Sequence, residues 1–400
     1  MTHSDRDAGG HRILVGTLAV TQTIGYGGLY YAFAVFLVPI AADLHTSTTV
    51  VTGSYTASVL AAALLAVPVG RRLDRHGGRA LMTGGSLLGV LLLVAWSGIG
   101  QVWQLYAVQA GIGAASAASL YEAAFAVVIA WHTPRQRSAA LLAVTVVAGF
   151  ASTVFLPLTG WLVEQYGWRT ALLVLAAVQA VTVPLHAVVI RRPPAGGHHV
   201  RPTRSGTRAA LADRGFWLLA AGLTANTAAI SAYTVLLIPA LIAWHYPPAF
   251  AATIAGLLGV LSVTGRLLTT GLQRRYRTVT ITAAVFTVQT VAALLLPWAA
   301  GTAVGAIAAV IGFGLGFGVA TIAKPVILAE RYDTTRYATL AGVLVVPGTL
   351  AKAVAPLAGA GLHAATGSYT TALTAIAACC ALATAALAGL SRRPLRTIPA

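Results

Sequence analysis

From residue 13 onward the chain is a succession of apolar stretches parted by short polar loops. Each stretch holds about 20 residues or more, enough at 1.5 Å per helical residue to cross the roughly 30 Å hydrocarbon core of a bilayer. Polar and apolar residues do not alternate within them, which excludes barrel strands. That leaves the helix, the other structure that satisfies its own backbone in lipid. With 58% hydrophobic residues, 9% charged residues and a mean hydropathy of +0.80, the chain holds more apolar surface than a water-soluble globule buries. The pattern predicts an all-α integral membrane protein with about twelve spans. They lie at 13–38, 49–70, 79–99, 103–131, 138–163, 168–190, 215–241, 250–272, 278–298, 301–329, 337–362 and 369–390. The polar opening MTHSDRDAGGHR, followed by so long an apolar run, predicts no cleaved signal peptide.

The net charge of +17 invites a nucleic-acid reading, but the placement of the charge opposes it. Basic residues cluster after every second apolar stretch: Arg71, Arg72, Arg75 and Arg79, then Arg135 and Arg137, then Arg191 to Arg214, and so on to Arg392, Arg393 and Arg396. The alternate loops, such as 41–47, 244–250 and 364–369, carry no Lys or Arg. This positive-inside distribution predicts a multi-pass protein of the cell membrane with both termini and the central loop in the cytoplasm. It makes nucleic acid an unnecessary partner. Cys379 and Cys380 are neighbours within the last apolar stretch, where they read as small packing residues, and His198-His199 alone makes no metal site. No cofactor is expected.

Between the sixth and seventh stretches lies a Pro-, Gly- and Arg-rich segment that reads as a linker. The predicted organisation is a six-helix bundle at 1–190, a cytoplasmic linker at 191–214 and a second bundle at 215–400. An internal repeat supports the division. Gly70 and Gly271, Gly111 and Gly312, Gly113 and Gly314, Arg135 and Arg336, and Gly160 and Gly361 all stand 201 positions apart. Duplicated halves of this kind hold a substrate near the midplane.

At the end of the second stretch stands Gly70-Arg71-Arg72-Leu73-Asp74-Arg75-His76-Gly77-Gly78-Arg79. It resembles the G-x-x-x-D-[RK]-x-G-x-[RK] loop of the major facilitator superfamily, and Gly167-Trp168-Arg169 opening the sixth stretch is similar to that family too. The resemblance implies a twelve-helix fold of two pseudo-symmetric halves that transports by alternating access. In the loop, glycines permit a tight turn, while Asp74 can meet a helix N-terminus or an arginine such as Arg135 and latch one conformation, with Arg75 beside it. The matching loop of the second half begins at Gly271 but puts Arg275 where Asp74 would be, so the latch is expected to be one-sided.

Inside the stretches the basic residues are Arg266, Lys324 and Lys352, and the one acid well inside is Glu122. Each charge at a helix centre costs about 2.5–3.5 kcal/mol, so residues of this kind point to function. Arg266 and Lys324 stand near enough to helix ends to reach the interface, whereas Lys352 lies closer to mid-helix. The superfamily resemblance implies that the helices of Glu122 and Lys324 face one another, which makes them a plausible ion pair. Glu122 acts in gating or proton binding, or else braces a helix terminus or the Tyr121 hydroxyl.

Arg266 on helix eight and Lys352 on helix eleven resemble the charged pair of the oxalate:formate antiporter and monocarboxylate transporter families. That resemblance implies a small organic anion, a mono- or dicarboxylate, as substrate. Ser262 occupies the place where many monocarboxylate transporters carry an acid. Ser262, Thr270, Gly348 and Pro356 flank the two cations at helical spacing and leave room for a ligand. Gln22, Tyr26 and Tyr30 on the first helix, and Asn226 and Tyr233 on the seventh, share faces that would line a cavity or pack a helix. The alternative function is proton-coupled efflux of amphipathic or cationic compounds. An enzyme or sensor is disfavoured, because the sequence shows no nucleotide loop, no nucleophile elbow and no clustered His/Cys/Asp set.

Overall fold

In the computed structural model, which describes residues 3–191, 204–332 and 334–392, every regular element among the described residues is helical. Among the described residues, eleven helical stretches are long and apolar enough to cross a membrane. One of them, Pro134–Val189, runs 56 residues, far more than a single crossing needs. It is interrupted at Gly167, whose φ of 77° and ψ of 161° lie outside any helix. Division there yields twelve crossings. We number them α1 (Gly10–Asp43), α2 (Thr48–His76), α3 (Gly78–Ser97), α4 (Val102–Trp131), α5 (134–166), α6 (168–189), α7 (Arg214–Ala243), α8 (Pro248–Leu272), α9 (Thr278–Ala299), α10 (Ala303–Arg331), α11 (Thr334–Thr366) and α12 (Tyr369–Ser391). Arg204–Ala212 of the central linker is helical, whereas 192–203, including His198 and His199, lie outside the described residues.

Side-chain caps explain where several helices start. Ser47, Thr302 and Ser368 accept from the backbone N–H groups of Val50, Gly305 and Thr370 at the openings of α2, α10 and α12. Gln101 and Gln104 form a reciprocal capping box at the start of α4. The repeat shows in the backbone itself. His45 (φ 49°) and His245 (φ 67°) adopt the left-handed region after α1 and α7, and Gly167 (φ 77°) and Gly367 (φ 69°) do so before α6 and α12.

The chain divides into two compact units. The first comprises residues 1–203 together with 333–345, and the second comprises 204–332 with 346–399. The start of α11 therefore groups with the first unit. Phe36, Leu93, Trp96, Leu105, Ile112 and Leu172 lie at the core of the first unit. Tyr233, Leu237, Leu296, Phe313, Leu373 and Cys380 lie at that of the second. Cys380 is a buried free thiol. Arg169 fastens one end of the first unit. Its guanidinium donates to Asp43 Oδ2 (2.7 Å) and to the carbonyls of Ser97 (3.2 Å) and Ile99 (3.1 Å), while lying over the Trp168 ring.

Candidate functional site

In each unit a helix that crosses the membrane is broken midway, and Gln22, Glu122, Asn226, Tyr233 and Arg266 stand around the breaks. In the first unit α4 stops at Ser119, passes through the extended residue Leu120 and resumes at Tyr121. A break in lipid must find partners for the backbone groups it frees. Gln22 supplies one by donating its Nε2–H to the Ser119 carbonyl at 2.9 Å. Gln22 is fully buried and stitches α1 to α4. Glu122 stands in the first turn of the resumed helix, where the helix dipole favours an acid, and is half-buried.

Opposite this break α1 carries a π-helical turn, Gly27–Tyr31. It forms where the Phe155 ring presses on Gly27, at a distance no larger residue would allow. Such insertions mark functional segments of membrane and soluble helices alike. This one brings consecutive tyrosines into a cluster. Tyr26 and Tyr121 have ring centroids 4.4 Å apart, Tyr26 and Tyr30 5.9 Å, Tyr30 and Tyr31 5.1 Å, and Tyr30 and Tyr55 5.7 Å. Glu122 lies within electrostatic reach of Tyr26. The expectation named Tyr26 and Tyr30 for a shared helix face and Tyr121 only as an alternative partner of Glu122, and it missed Tyr31 and Tyr55. The one available signal was Tyr121 standing next to Glu122 in the chain.

In the second unit α10 unwinds over residues 315–318 and resumes at Val319. Here a relay of amides replaces the single glutamine. Asn226 donates to Gln289 Oε1 (2.9 Å), and Gln289 donates to the Phe313 carbonyl (3.0 Å). Tyr233 stacks on the Phe313 ring at 3.7 Å. Asn226 and Tyr233 are both fully buried, packed beside the broken helix.

On the other side of the same break stands Arg266. It is half-buried on α8, and its Nη2 donates to Ser262 Oγ one turn earlier at 3.2 Å. Gly318, at the end of the unwound stretch, lies flat against Ser262 and the guanidinium, and any side chain there would collide with both. Lys352 is exposed on α11, where its carbonyl accepts a 2.8 Å hydrogen bond from Ser231 of α7. Lys324 is half-buried six residues into the resumed part of α10. Glu122 belongs to the first unit and Lys324 to the second.

The motif at the end of α2 is helical through His76, and Gly77 (φ 76°) makes the turn into α3. Gly70 serves a different purpose: it lets the backbone at Ala338 and Thr339 of α11 lie directly against α2. Asp74 then accepts from Ala338 N (3.0 Å), from Thr339 N (2.8 Å) and from the Thr339 hydroxyl. A carboxylate thus caps the first turn of α11 from another helix. Of the two partners expected for Asp74, it is the helix N-terminus that the structure supplies. Arg135 is exposed and Arg75 likewise, while Arg336 is the arginine within electrostatic reach of Asp74. Outside the crossings, burial and then the hydrogen bond to Asp213 (2.7 Å) raise the pKa of the Tyr332 phenol above its ordinary value. Among the described residues no group of three or more His, Cys, Asp or Glu is arranged to hold a metal.

Residues 18–356 match the model of the Major Facilitator Superfamily. A stretch of 179 residues, 44% of this chain, is 31% identical to an MFS-type efflux pump of Mycolicibacterium smegmatis, and the match spans 41% of that protein's length. Two solved structures superpose along nearly the whole chain. A bacterial homologue of the iron transporter ferroportin, in an outward-facing state, gives a TM-score of 0.76 at 17% identity, over 95% of this chain and 100% of that one. The E. coli fucose:proton symporter gives 0.71 at 16%, over 96% and 98%. At such identities the likeness to both structures is one of fold.

Proposed function

Because the chain belongs to the Major Facilitator Superfamily, and so is a membrane transporter, we propose that it works by secondary active transport of a small organic anion through alternating access, with Arg266 and Lys352 as its anion-binding side chains. One observation carries the reading: a half-buried guanidinium on α8 braced by Ser262 beside the unwound turn of α10. Arginine stays charged at any physiological pH, and its planar fork matches a carboxylate in two parallel hydrogen bonds. Holding it at membrane depth costs about 2.5–3.5 kcal/mol, which an anion arriving through water offsets. Lys352 adds a compact second charge, suited to a dicarboxylate or to a second monoanion.

The remaining roles follow the same logic. Glu122 and Lys324 serve coupling or gating, with protons as a second partner of the cycle. Asp74 latches the first turn of α11, and Arg75 and Arg135 hold the basic loops at the cytoplasmic face of the cell membrane, the side on which we also place both termini. A second reading, proton-coupled export of amphipathic or cationic compounds, is favoured by the likeness to the efflux pump. A thermal-shift panel of mono- and dicarboxylates on the purified protein tests the first reading. At least one carboxylate should raise the melting temperature of the wild type and leave Arg266→Gln unmoved, and an equal shift in both would refute the assignment.

A further inference from the structure

We propose that the first unit carries a binding site for an organic cation, a quaternary or protonated amine, formed by the ring faces of Tyr26, Tyr30, Tyr31, Tyr55 and Tyr121 with Glu122 at its edge. The site is independent of the anion-binding side chains of the second unit. It deepens the export reading, because it names the substrate class and the residues that recognise it.

Depth within the bilayer is the first support. Tyr26 lies near the middle of α1, and Tyr121 falls at the mid-helix break of α4. Tyrosines of an interfacial belt sit at helix ends, so these are not belt residues. A phenol hydroxyl at the midplane is costly against lipid, and a cluster meant only for packing is served as well by Phe or Leu. All five tyrosines are half-buried, as is Glu122, so none is sealed in the core. The rings meet edge to face or tilted, with centroids 4.4–6.4 Å apart.

Charge is the second support. The face of an aromatic ring is the negative end of its quadrupole, so clustered rings attract a cation and repel an anion. Glu122 adds a formal charge of the same sign within reach of Tyr26. Here ring faces and carboxylate act in one direction, whereas the groups described in the second unit favour the opposite sign. The backbone supplies the third support. The π-helical turn of α1 and the break of α4 are the two irregular stretches of the unit's crossing helices that coincide with the cluster, and they set Tyr30, Tyr31 and Tyr121 in place.

The test uses the full-length purified protein and two probes of nearly equal shape: choline, and its uncharged isostere 3,3-dimethylbutan-1-ol. Equilibrium dialysis should show saturable choline binding, with the isostere bound about tenfold more weakly or worse. Glu122→Gln and Tyr30→Leu should each weaken choline by about tenfold, while Tyr30→Phe, which keeps the ring face, should stay within about threefold of wild type. The comparison of the two probes on the wild type needs no variant, so a misfolded mutant cannot obscure the outcome. Equal binding of both probes, or no saturable choline binding, would overturn the site. Choline binding with no choline export from proteoliposomes would leave the site standing and sink the export reading instead.

Discussion

Gly70 and Gly271 hold matching places in the two halves, at the ends of α2 and α8, yet their surroundings differ completely. A side chain at 70 would run into the Ala338 carbonyl and the Thr339 backbone, while one at 271 would meet nothing within 4 Å. Four residues on, the first half offers Asp74 to the first turn of α11, and the second offers the exposed Arg275. The duplicated sequence has kept the glycine in both places and the grip in one. The difference teaches that the repeat fixes where helices go, whereas the carboxylate grip on the first turn of α11 arises from a departure from it.

The strongest way to break the comparison is to fill its glycines. Gly70→Ala forces a methyl group into the α11 backbone, and Gly113→Ala forces one into the Ser58 carbonyl of α2. Each should cost about 3 kcal/mol, the upper end for overpacking, and be read as a lowered melting temperature with lost transport. Their repeat mates should be mild, since Gly271 faces open space and Gly314 meets chiefly the movable Leu261 side chain. Equal losses in mates and originals would mean that the halves are under the same constraint. Next in size is Asp74→Ala, which removes a charged acceptor worth about 1.5–3 kcal/mol and should slow transport about 10- to 100-fold. Arg275→Ala should leave transport within about twofold of wild type, because an exposed charge contributes little. Smallest is Gln22→Leu. It orphans the Ser119 carbonyl for about 1–2 kcal/mol, visible as a lower melting temperature, and unchanged stability would show that the break in α4 finds another donor.

Most of the fold was legible because lipid imposes one simple rule, and the apolar runs obey it. Even the join between α5 and α6, where Gly167 divides a 56-residue helical stretch, falls where the sequence placed it, between 163 and 168. The candidate site was harder to read. Periodicity placed Gln22, Asn226 and Tyr233 on shared helix faces but could not reveal that α4 and α10 break beside them. In the structure Gln22 donates to the Ser119 carbonyl, Asn226 donates to the Gln289 side chain and Tyr233 stacks on the Phe313 ring. Buried amides look alike in sequence whether they meet a ligand or a carbonyl. Asp74 was readable as a partner for a helix N-terminus because its motif is specific, but Thr339 was not, since nothing in a run of small residues identifies a partner more than 260 positions away.

Uptake of a carboxylate panel into proteoliposomes, comparing wild type with Arg266→Gln and Lys352→Gln, tests the central claim most directly. The anion reading predicts saturable uptake of at least one carboxylate by the wild type, reduced about 100-fold or more in Arg266→Gln and less severely in Lys352→Gln, as befits a lost bidentate contact and a lost point charge. Uptake at wild-type rates in both variants would contradict it.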